Sequence, residues 1–216
     1  MSKVIHNPLL AAVNENSATS AEFVIEPLHM GYGNTLGNSL RRVLLSSIKG
    51  AAIVAFRVEG ATHEFTTLPG VKEDVVDIML NLKNVRLKVH TDEPIELRLE
   101  KKGAGVVTAS DIKTTADVEI VNPEQVICTI DDPKKSVLID LVVESGRGYR
   151  TIEDSSSSRL HSDMIALDAV FSPVLRVRYK VDNTRVGQET NLDKLLLTVD
   201  TDGAISPREA FEEAAA

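Results

Sequence analysis

The chain has few of the residues that several classes of protein require. Its one cysteine, Cys128, excludes intrachain disulfides and cysteine-clustered metal sites, and it fits a reducing cytoplasm. The formal net charge is −8, whereas a free-standing nucleic-acid binder normally carries a basic patch. No run of about 18 apolar residues occurs, and the N-terminus lacks the charged start and long apolar core of a signal peptide. We therefore expect a soluble, cytoplasmic protein without a membrane span.

Recognisable catalytic motifs are also missing from the sequence. The histidines are scattered without the spacing of metal ligands: His6, His29, His63, His90 and His161. Nothing resembles a nucleophile elbow, a Walker loop or an Asp-x-Asp metal motif. Asp140, Glu144 and Asp168 form no spaced acid pair that would serve catalysis. We therefore expect neither catalytic residues nor a cofactor in this chain.

A strong helix pattern is present in residues 31–50. The segment begins as a glycine-rich turn, where Asn34 or Thr35 would cap the first N–H groups, and Gly50 would close the other end. Leu45 points away from the apolar stripe, and Arg41 and Arg42 lie on the flanks between. The stripe consists of Leu36, Leu40, Val43, Leu44 and Ile48. The pattern predicts a helix that packs on its own domain and on another partner, although charge pairs usually lie on a solvated face.

The glycines of this segment leave a second function open. Gly31-x-Gly33-x-x-x-Gly37 follows a predicted strand and opens a helix, as phosphate-binding turns do, and Glu59 ends the next strand about where a ribose-binding acid would lie. The pattern departs from the dinucleotide fingerprint because residues 27–30 separate strand from turn and antiparallel alternation follows. A nucleotide-binding enzyme is therefore the weaker alternative. In the favoured interpretation, Gly33 serves the turn and Gly37 allows close approach of the helix.

The rest of the chain predicts an α+β fold with mostly antiparallel strands. A second helix is predicted over residues 71–83, ended by Asn84, and a third begins at the capping box Ser206-Pro-Arg-Glu209. Residues 14–20 are polar and predict a loop. Alternation of apolar residues with a period of two predicts strands at 21–26, 51–60, 85–89, 95–99, 118–120, 126–130, 137–143, 175–181 and 195–199, with a hairpin turn at 91–94.

Long motifs spread over nearly the whole chain resemble one known family. They begin with Leu36-Gly-Asn-Ser-Leu-Arg-Arg and continue, in order, through residues 68–83, 146–149, 171–174, 184–194 and 201–203. The sequence is similar there to the α subunit of bacterial-type, multisubunit DNA-directed RNA polymerase. The resemblance implies a non-catalytic assembly subunit of a nucleotidyltransferase complex, which forms a homodimer and recruits the β and β′ subunits for DNA-templated transcription. A structural adaptor unrelated to polymerase is the remaining alternative.

The resemblance also implies a domain division. Residues 1–50 and 171–216 would form a dimerisation subdomain, made of a sheet plus two helices, and residues 51–170 an inserted, mostly antiparallel β subdomain. The family's C-terminal DNA-binding domain is absent from this sequence, so we expect no direct DNA binding by it. Sigma and omega would belong to the same complex, and magnesium is expected in the β′ subunit.

Contact residues follow from the same resemblance. The dimer would pair chiefly through the C-terminal helix and the helix of residues 36–48, whose interface residues would be Leu36, Leu40, Val43, Leu44 and Ile48. Contact with β is implied for Arg41, Arg42, Leu45, Leu68, Gly70, Lys72 and Glu73. Contact with β′ is implied for Lys83, Asp168, Arg185, Asp193 and Lys194.

Overall fold

A computed structural model describes residues 7–155 and 163–216, and it divides the chain into two compact units. Unit 1 comprises Met1–Ile48 and Ser172–Ala216, and unit 2 comprises Lys49–Phe171. The fold is α+β with mostly antiparallel sheets and few helices among the described residues, which confirms the predicted fold class. The functional roles given to the two parts of the chain stay predictions.

The helices and strands of the described residues follow one another along the chain. They are β1 (Leu9–Ser17), β2 (Ser20–Leu28), α1 (Tyr32–Ser46), β3 (Lys49–Val58), α2 (Val75–Lys83), β4 (Leu87–Val89), β5 (Ile95–Lys102), β6 (Gly105–Thr108), a 3₁₀ helix (Ala109–Asp111), β7 (Ile112–Lys113), β8 (Val118–Ile120), β9 (Val126–Ile130), β10 (Ser136–Arg147), β11 (Tyr149–Arg150), α3 (Ile152–Ser155), β12 (Ile165–Ala166), β13 (Ala169–Val170), β14 (Val174–Val186), β15 (Glu189–Thr201) and α4 (Pro207–Ala215).

Unit 1 is a four-stranded antiparallel sheet that carries α1 and α4. The strand order is β1-β2-β15-β14. Alternate residues of each strand point to one face, so Phe23 of β2 and Leu197 of β15 face the helices and are fully buried. Phe211 of α4 stacks on Phe23, with ring centroids 4.3 Å apart. Both helices therefore belong to one hydrophobic core.

Unit 2 is built on a five-stranded sheet of order β12-β3-β10-β5-β7, joined by the two-stranded pairs β11-β13, β4-β8 and β6-β9. Helix α2 buries Val75, Ile78 and Leu82 in the core of this unit. Its first N–H groups are capped by Asp74, whose carboxylate accepts a hydrogen bond from the Asp77 N–H at 2.9 Å. The predicted C-terminal role of Asn84 is confirmed, since Asn84 is the C-cap.

A buried carboxylate joins three strands of the unit 2 sheet. Asp140 on β10 accepts hydrogen bonds from Arg57 on β3 at 2.6 Å and from Arg98 on β5 at 2.7 Å. Arg57 also donates to Asp163 at 2.5 Å. Burial alone would raise the pKa of Asp140, but hydrogen bonds from the two guanidinium groups hold that pKa below its ordinary value. The ionised carboxylate therefore stabilises the sheet.

Several predicted boundaries were wrong. Residues 14–20 are not a loop, because β1 continues to Ser17 and forms a tight hairpin with β2. The hairpin predicted at 91–94 does not form, since β4 pairs with β8 while β5 pairs with β10 and β7. Helix α2 begins four residues later than predicted, because Val71 forms a bridge with Ile130 instead. The capping box at the start of α4 is confirmed: Ser206 accepts from the Glu209 N–H.

Candidate assembly surfaces

Helix α1 lies unusually close to the sheet of unit 1 because two glycines face it. A Cβ added at Gly37 would lie 2.6 Å from Tyr179 Cδ2 and 3.0 Å from Leu195 Cδ1. A Cβ added at Gly33 would lie 2.8 Å from Val181 Cγ1. The predicted role of Gly37 in close helix approach is confirmed. Gly33 serves the same purpose, and not the turn as predicted.

The turn before α1 is made by Gly31, which has a left-handed φ of 83°. Asn34 and Thr35 lie inside the helix and are exposed, so they do not cap it. Gly50 does not end the helix either, because α1 stops at Ser46 and Gly50 belongs to β3.

Asp193 caps α1 in place of the predicted residues. Its carboxylate accepts hydrogen bonds from the N–H groups of Gly31 at 2.8 Å and of Gly33 at 3.1 Å, and only 6% of the residue is exposed. A negative charge at a helix N-terminus is favourable because it faces the positive end of the helix dipole. These N–H groups are thus already bound within the fold, which removes the physical basis of a phosphate site at this turn.

The five residues predicted for the dimer interface have two kinds of environment. Leu40, Leu44 and Ile48 are buried in the core of unit 1, where a second chain cannot reach them. Leu36 and Val43 are half-buried at one edge of the helix. The interface itself stays a prediction, and Leu36 and Val43 are the two of these five residues that retain exposed surface.

The outer side of α1 carries two arginines. Arg41 and Arg42 are both exposed, and neither guanidinium forms an ion pair within the part of the chain that the structure describes. Leu45, assigned with them to the β contact, is half-buried against the core of unit 1. The two arginines are therefore charged groups of this helix that are available to a partner.

Residues 68–73, also assigned to the β contact, form a loop held against β9 of unit 2. Leu68 is buried in the core, and Gly70 has a left-handed φ of 84°. The Glu73 carboxylate accepts hydrogen bonds from the Thr129 N–H at 2.6 Å and from the Thr129 hydroxyl at 3.1 Å. Lys72 is exposed. Three of these residues thus shape the loop, and Lys72 is the exposed side chain available to a partner.

Lys83 and Asp168, both assigned to β′, are brought together in unit 2. Lys83 Nζ lies 3.7 Å from Asp168 Oδ2, and both side chains are about one-third exposed. Partial desolvation, followed by the nearby Asp168 carboxylate, raises the pKa of Tyr149. The three residues line a cavity of about 100 Å³.

Apolar groups surround this cluster. Tyr149 and Val170 are cross-strand neighbours on β11 and β13 and are 60% and 54% exposed. Arg86 lies at the same cavity. An exposed aromatic ring beside a charged pair is typical of protein-binding surfaces. Tyr149 belongs to the motif of residues 146–149, but its place beside Asp168 could not be predicted from the sequence, because it depends on the pairing of β11 with β13.

The other residues assigned to β′ lie in unit 1. Arg185 is exposed near the tip of the β14–β15 hairpin, where its Nε donates to the Gly187 carbonyl at 2.7 Å. Lys194 Nζ lies 3.6 Å from Glu26 Oε1. Asp193 is the buried cap of α1 described above. Sequence reasoning missed that role because 160 residues separate Asp193 from Gly33.

Residues 7–155 and 163–216 contain neither a candidate metal site nor a candidate membrane span. No group of three or more His, Cys, Asp and Glu side chains there could hold a metal ion, and no helix there is long and apolar enough to cross a membrane. His6 and His161 lie outside the described residues.

Burial, followed by the nearby carboxylates, raises the pKa of the Cys128 thiol to about 12, as expected for a structural cysteine.

Comparisons with known proteins agree on one family. Residues 54–172 match the family model described as RNA polymerase Rpb3/RpoA insert domain. The DNA-directed RNA polymerase subunit alpha of Heliobacterium modesticaldum is 50% identical over 208 residues, which cover 96% of this chain and 66% of that relative. The same subunit of Moorella thermoacetica is 53% identical over 193 residues, which cover 89% and 61%. That of Symbiobacterium thermophilum is 52% identical over 194 residues, which cover 90% and 61%.

The chain therefore spans between 61% and 66% of the length of these curated relatives. The identity extends over nine-tenths of the chain or nearly so in each case, and it includes both structural units. The resemblance carried by the sequence motifs is thereby confirmed. The chain belongs to the family of DNA-directed RNA polymerase α subunits.

Proposed function

We propose that the chain is a non-catalytic assembly subunit of cytoplasmic DNA-directed RNA polymerase, which forms a homodimer and recruits the β and β′ subunits. The observation that carries this proposal is the two-sided helix α1. Leu40 and Leu44 anchor one side in the core. Arg42 extends from the opposite side and Arg41 from a flank, and neither is paired among the described residues. Such a rigidly held helix with free charges suits a contact with a second protein.

The edge of α1 supports a contact with a second copy of the chain. Tyr32, Leu36 and Val43 lie within a narrow sector of the helix at 100° per residue, and Tyr32 is 50% exposed. If two copies pair through these edges, apolar surface is removed from water, and each Å² buried stabilises the dimer by about 25 cal/mol. The proposal predicts two chains per particle, measured by light scattering at micromolar concentration. A Leu36→Glu variant should shift the particle toward the monomer, and a particle that stays dimeric would exclude this edge.

The exposed arginines of α1 support a contact with β. A guanidinium can donate two parallel hydrogen bonds to one carboxylate, and arginine is enriched among the residues that dominate binding energies. We expect Arg42→Ala to weaken binding to the β subunit at least tenfold, which corresponds to about 1.4 kcal/mol or more. Binding can be measured by calorimetry with purified β.

A matched control is available on the same unit. Arg178 is exposed on β14, and its neighbours in the strand, Val177 and Tyr179, face the helices. Arg178 therefore points to the opposite face of the sheet. Arg178→Ala removes the same charge and should leave β binding unchanged. Equal affinities of the Arg42→Ala and Arg178→Ala variants for β would remove Arg42 from the interface.

The cluster of Lys83, Asp168 and Tyr149 supports the contact with β′. Its ion pair is only partly exposed, and its apolar neighbours provide area for a partner. Replacing Tyr149 by serine should weaken capture of β′ by a preformed complex of the α dimer and β. Assembly of that preformed complex should be unaffected. Undiminished capture of β′ would place that contact elsewhere.

A further inference from the structure

We infer that residues 131–135 form a second segment of the surface that binds the β subunit, and that Lys134 and Lys135 there recognise acidic groups of that subunit. The inference rests on the proposed function, in which the chain binds β, and on the assignment of the 68–73 loop to that contact by resemblance. Residues 131–135 connect β9 to β10 and are far from that loop in the sequence. The structure nevertheless joins the two segments in unit 2.

Hydrogen bonds connect the two segments residue by residue. The Lys72 N–H donates to the Thr129 carbonyl at 3.0 Å, and the Asp131 N–H donates to the Gly70 carbonyl at 2.9 Å. Between these bonds, Val71 forms an antiparallel bridge with Ile130. The 68–73 loop therefore extends the edge of β9 as a short strand would, and residues 131–135 follow directly from that pairing.

Gly70 shows how tightly the segments are packed. A Cβ at this position would lie 2.9 Å from Lys135 Cγ and 3.1 Å from Asp132 Cβ, and the φ of 84° is one that other residues rarely adopt. Gly70, assigned to the β contact by resemblance, thus acts as a positioning residue that holds one loop against the other. A partner that covers the first loop meets the second beside it.

The charges of the joined loops indicate the chemistry of the partner. Lys72, Lys134 and Lys135, which we call the lysine cluster, are all exposed, and none forms an ion pair within residues 7–155 and 163–216. Four acids lie beside them in the sequence: Glu73, Asp74, Asp131 and Asp132. The carboxylates of Glu73 and Asp74 already accept hydrogen bonds from the N–H groups of Thr129 and Asp77. Asp132 is half-buried and accepts a hydrogen bond from the Lys134 N–H at 2.9 Å, whereas Asp131 is exposed.

Other lysines of unit 2 form ion pairs, unlike those of the lysine cluster. Lys101 lies 2.7 Å from Asp111, and Lys102 and Lys113 both pair with Glu100, at 3.2 and 3.3 Å. The lysine cluster thus retains unpaired ammonium groups in a chain whose net charge is −8. Carboxylates on the facing part of β would complement them. Exposed charges at the rim of an interface act mainly on the association rate and on its salt dependence.

The experiment measures association of the immobilised chain with the purified β subunit encoded in the same genome. In the double variant Lys134→Gln/Lys135→Gln, we expect the association rate constant to fall about three- to tenfold at low salt, with little change in dissociation. The difference should shrink at high salt, because ions screen exposed charges. Lys88→Gln on β4 is the control, since Lys88 is exposed in the same unit and outside the proposed surface.

The outcomes separate the inference from the proposal on which it rests. If the double variant associates as fast as the Lys88→Gln control while Arg42→Ala weakens binding, the inference is wrong and the proposed β contact stands. If the wild-type chain does not bind β at all, the proposed function fails. The thermal unfolding temperatures of both lysine variants should match that of the wild type, because Lys88, Lys134 and Lys135 are all exposed.

Discussion

Replacing Gly37 by alanine tests whether close packing of α1 on the sheet is what holds the helix in place. In an ordinary exposed helix, this change is stabilising by about 1 kcal/mol, because alanine has the higher helix propensity. In this structure, Gly37→Ala is expected to be destabilising instead. The added Cβ would lie 2.6 and 2.9 Å from two ring atoms of Tyr179 and 3.0 Å from Leu195 Cδ1.

The magnitude follows from two opposing effects. Forcing an extra carbon into a well-packed core costs about 1–3 kcal/mol. The upper end of this range of costs applies to Gly37→Ala, because the obstructing atoms belong to the rigid ring of Tyr179. Contacts below 3.0 Å require that the helix or Tyr179 shifts. After subtraction of the propensity gain of about 1 kcal/mol, we expect a net destabilisation of about 2 kcal/mol.

Urea unfolding followed by circular dichroism measures the effect. All variants should be compared at one protein concentration, because dimerisation would make stability depend on concentration. Asn38→Ala is the control, since Asn38 is an exposed residue of the same helix and its replacement should stabilise by about 0.5 kcal/mol. A Gly37→Ala variant that is as stable as the wild type would refute the reasoning about close approach.

Three further variants test other parts of the structure. Asp193→Ala should lower the free energy of unfolding by about 1–2 kcal/mol, because it leaves two helix N–H groups unpaired; an unchanged melting temperature would contradict this. Asp140→Asn should cost about 1–3 kcal/mol at neutral pH. The pKa of Asp140 is lower in the folded chain than in the unfolded one, so the stabilisation by its carboxylate is present above pH 3.8 and is lost as the pH falls below that value. If the wild type and Asp140→Asn differ in unfolding free energy by the same amount in acid as at neutral pH, the ionised carboxylate is not the cause. Phe211→Ala should cost about 3–5 kcal/mol and speed amide exchange in α4, and continued protection of α4 would show that stacking on Phe23 is dispensable.

Local patterns in the sequence predicted the elements well. Alternation gave the limits of β8, a short apolar run gave those of β9, and the Ser206–Glu209 capping box located the start of α4. Each signal depends on residues close in sequence. The family motifs likewise identified the family correctly.

Features that depend on distant residues were not predictable in this way. A period of two indicates a strand but not its partner, so β4 and β5 were joined in a hairpin that does not form. The cap of α1 comes from Asp193, and the Glu73 carboxylate accepts a hydrogen bond from the backbone of β9, which lies 56 residues further along the chain.

The candidate contact residues show the same division. Resemblance placed Leu68 and Asp193 among the surface contacts, yet the structure buries both. Arg42 and Lys72 are exposed, as a contact requires. A single sequence does not distinguish a residue that shapes a contact loop from one that touches the partner, because both belong to the same motif.

Native mass spectrometry of the chain mixed with purified β and β′ would measure the composition of the assembled complex. The proposed function predicts a particle with two copies of this chain, one β and one β′, formed by way of a complex of two chains with one β. A chain that stays monomeric and joins neither large subunit would contradict it.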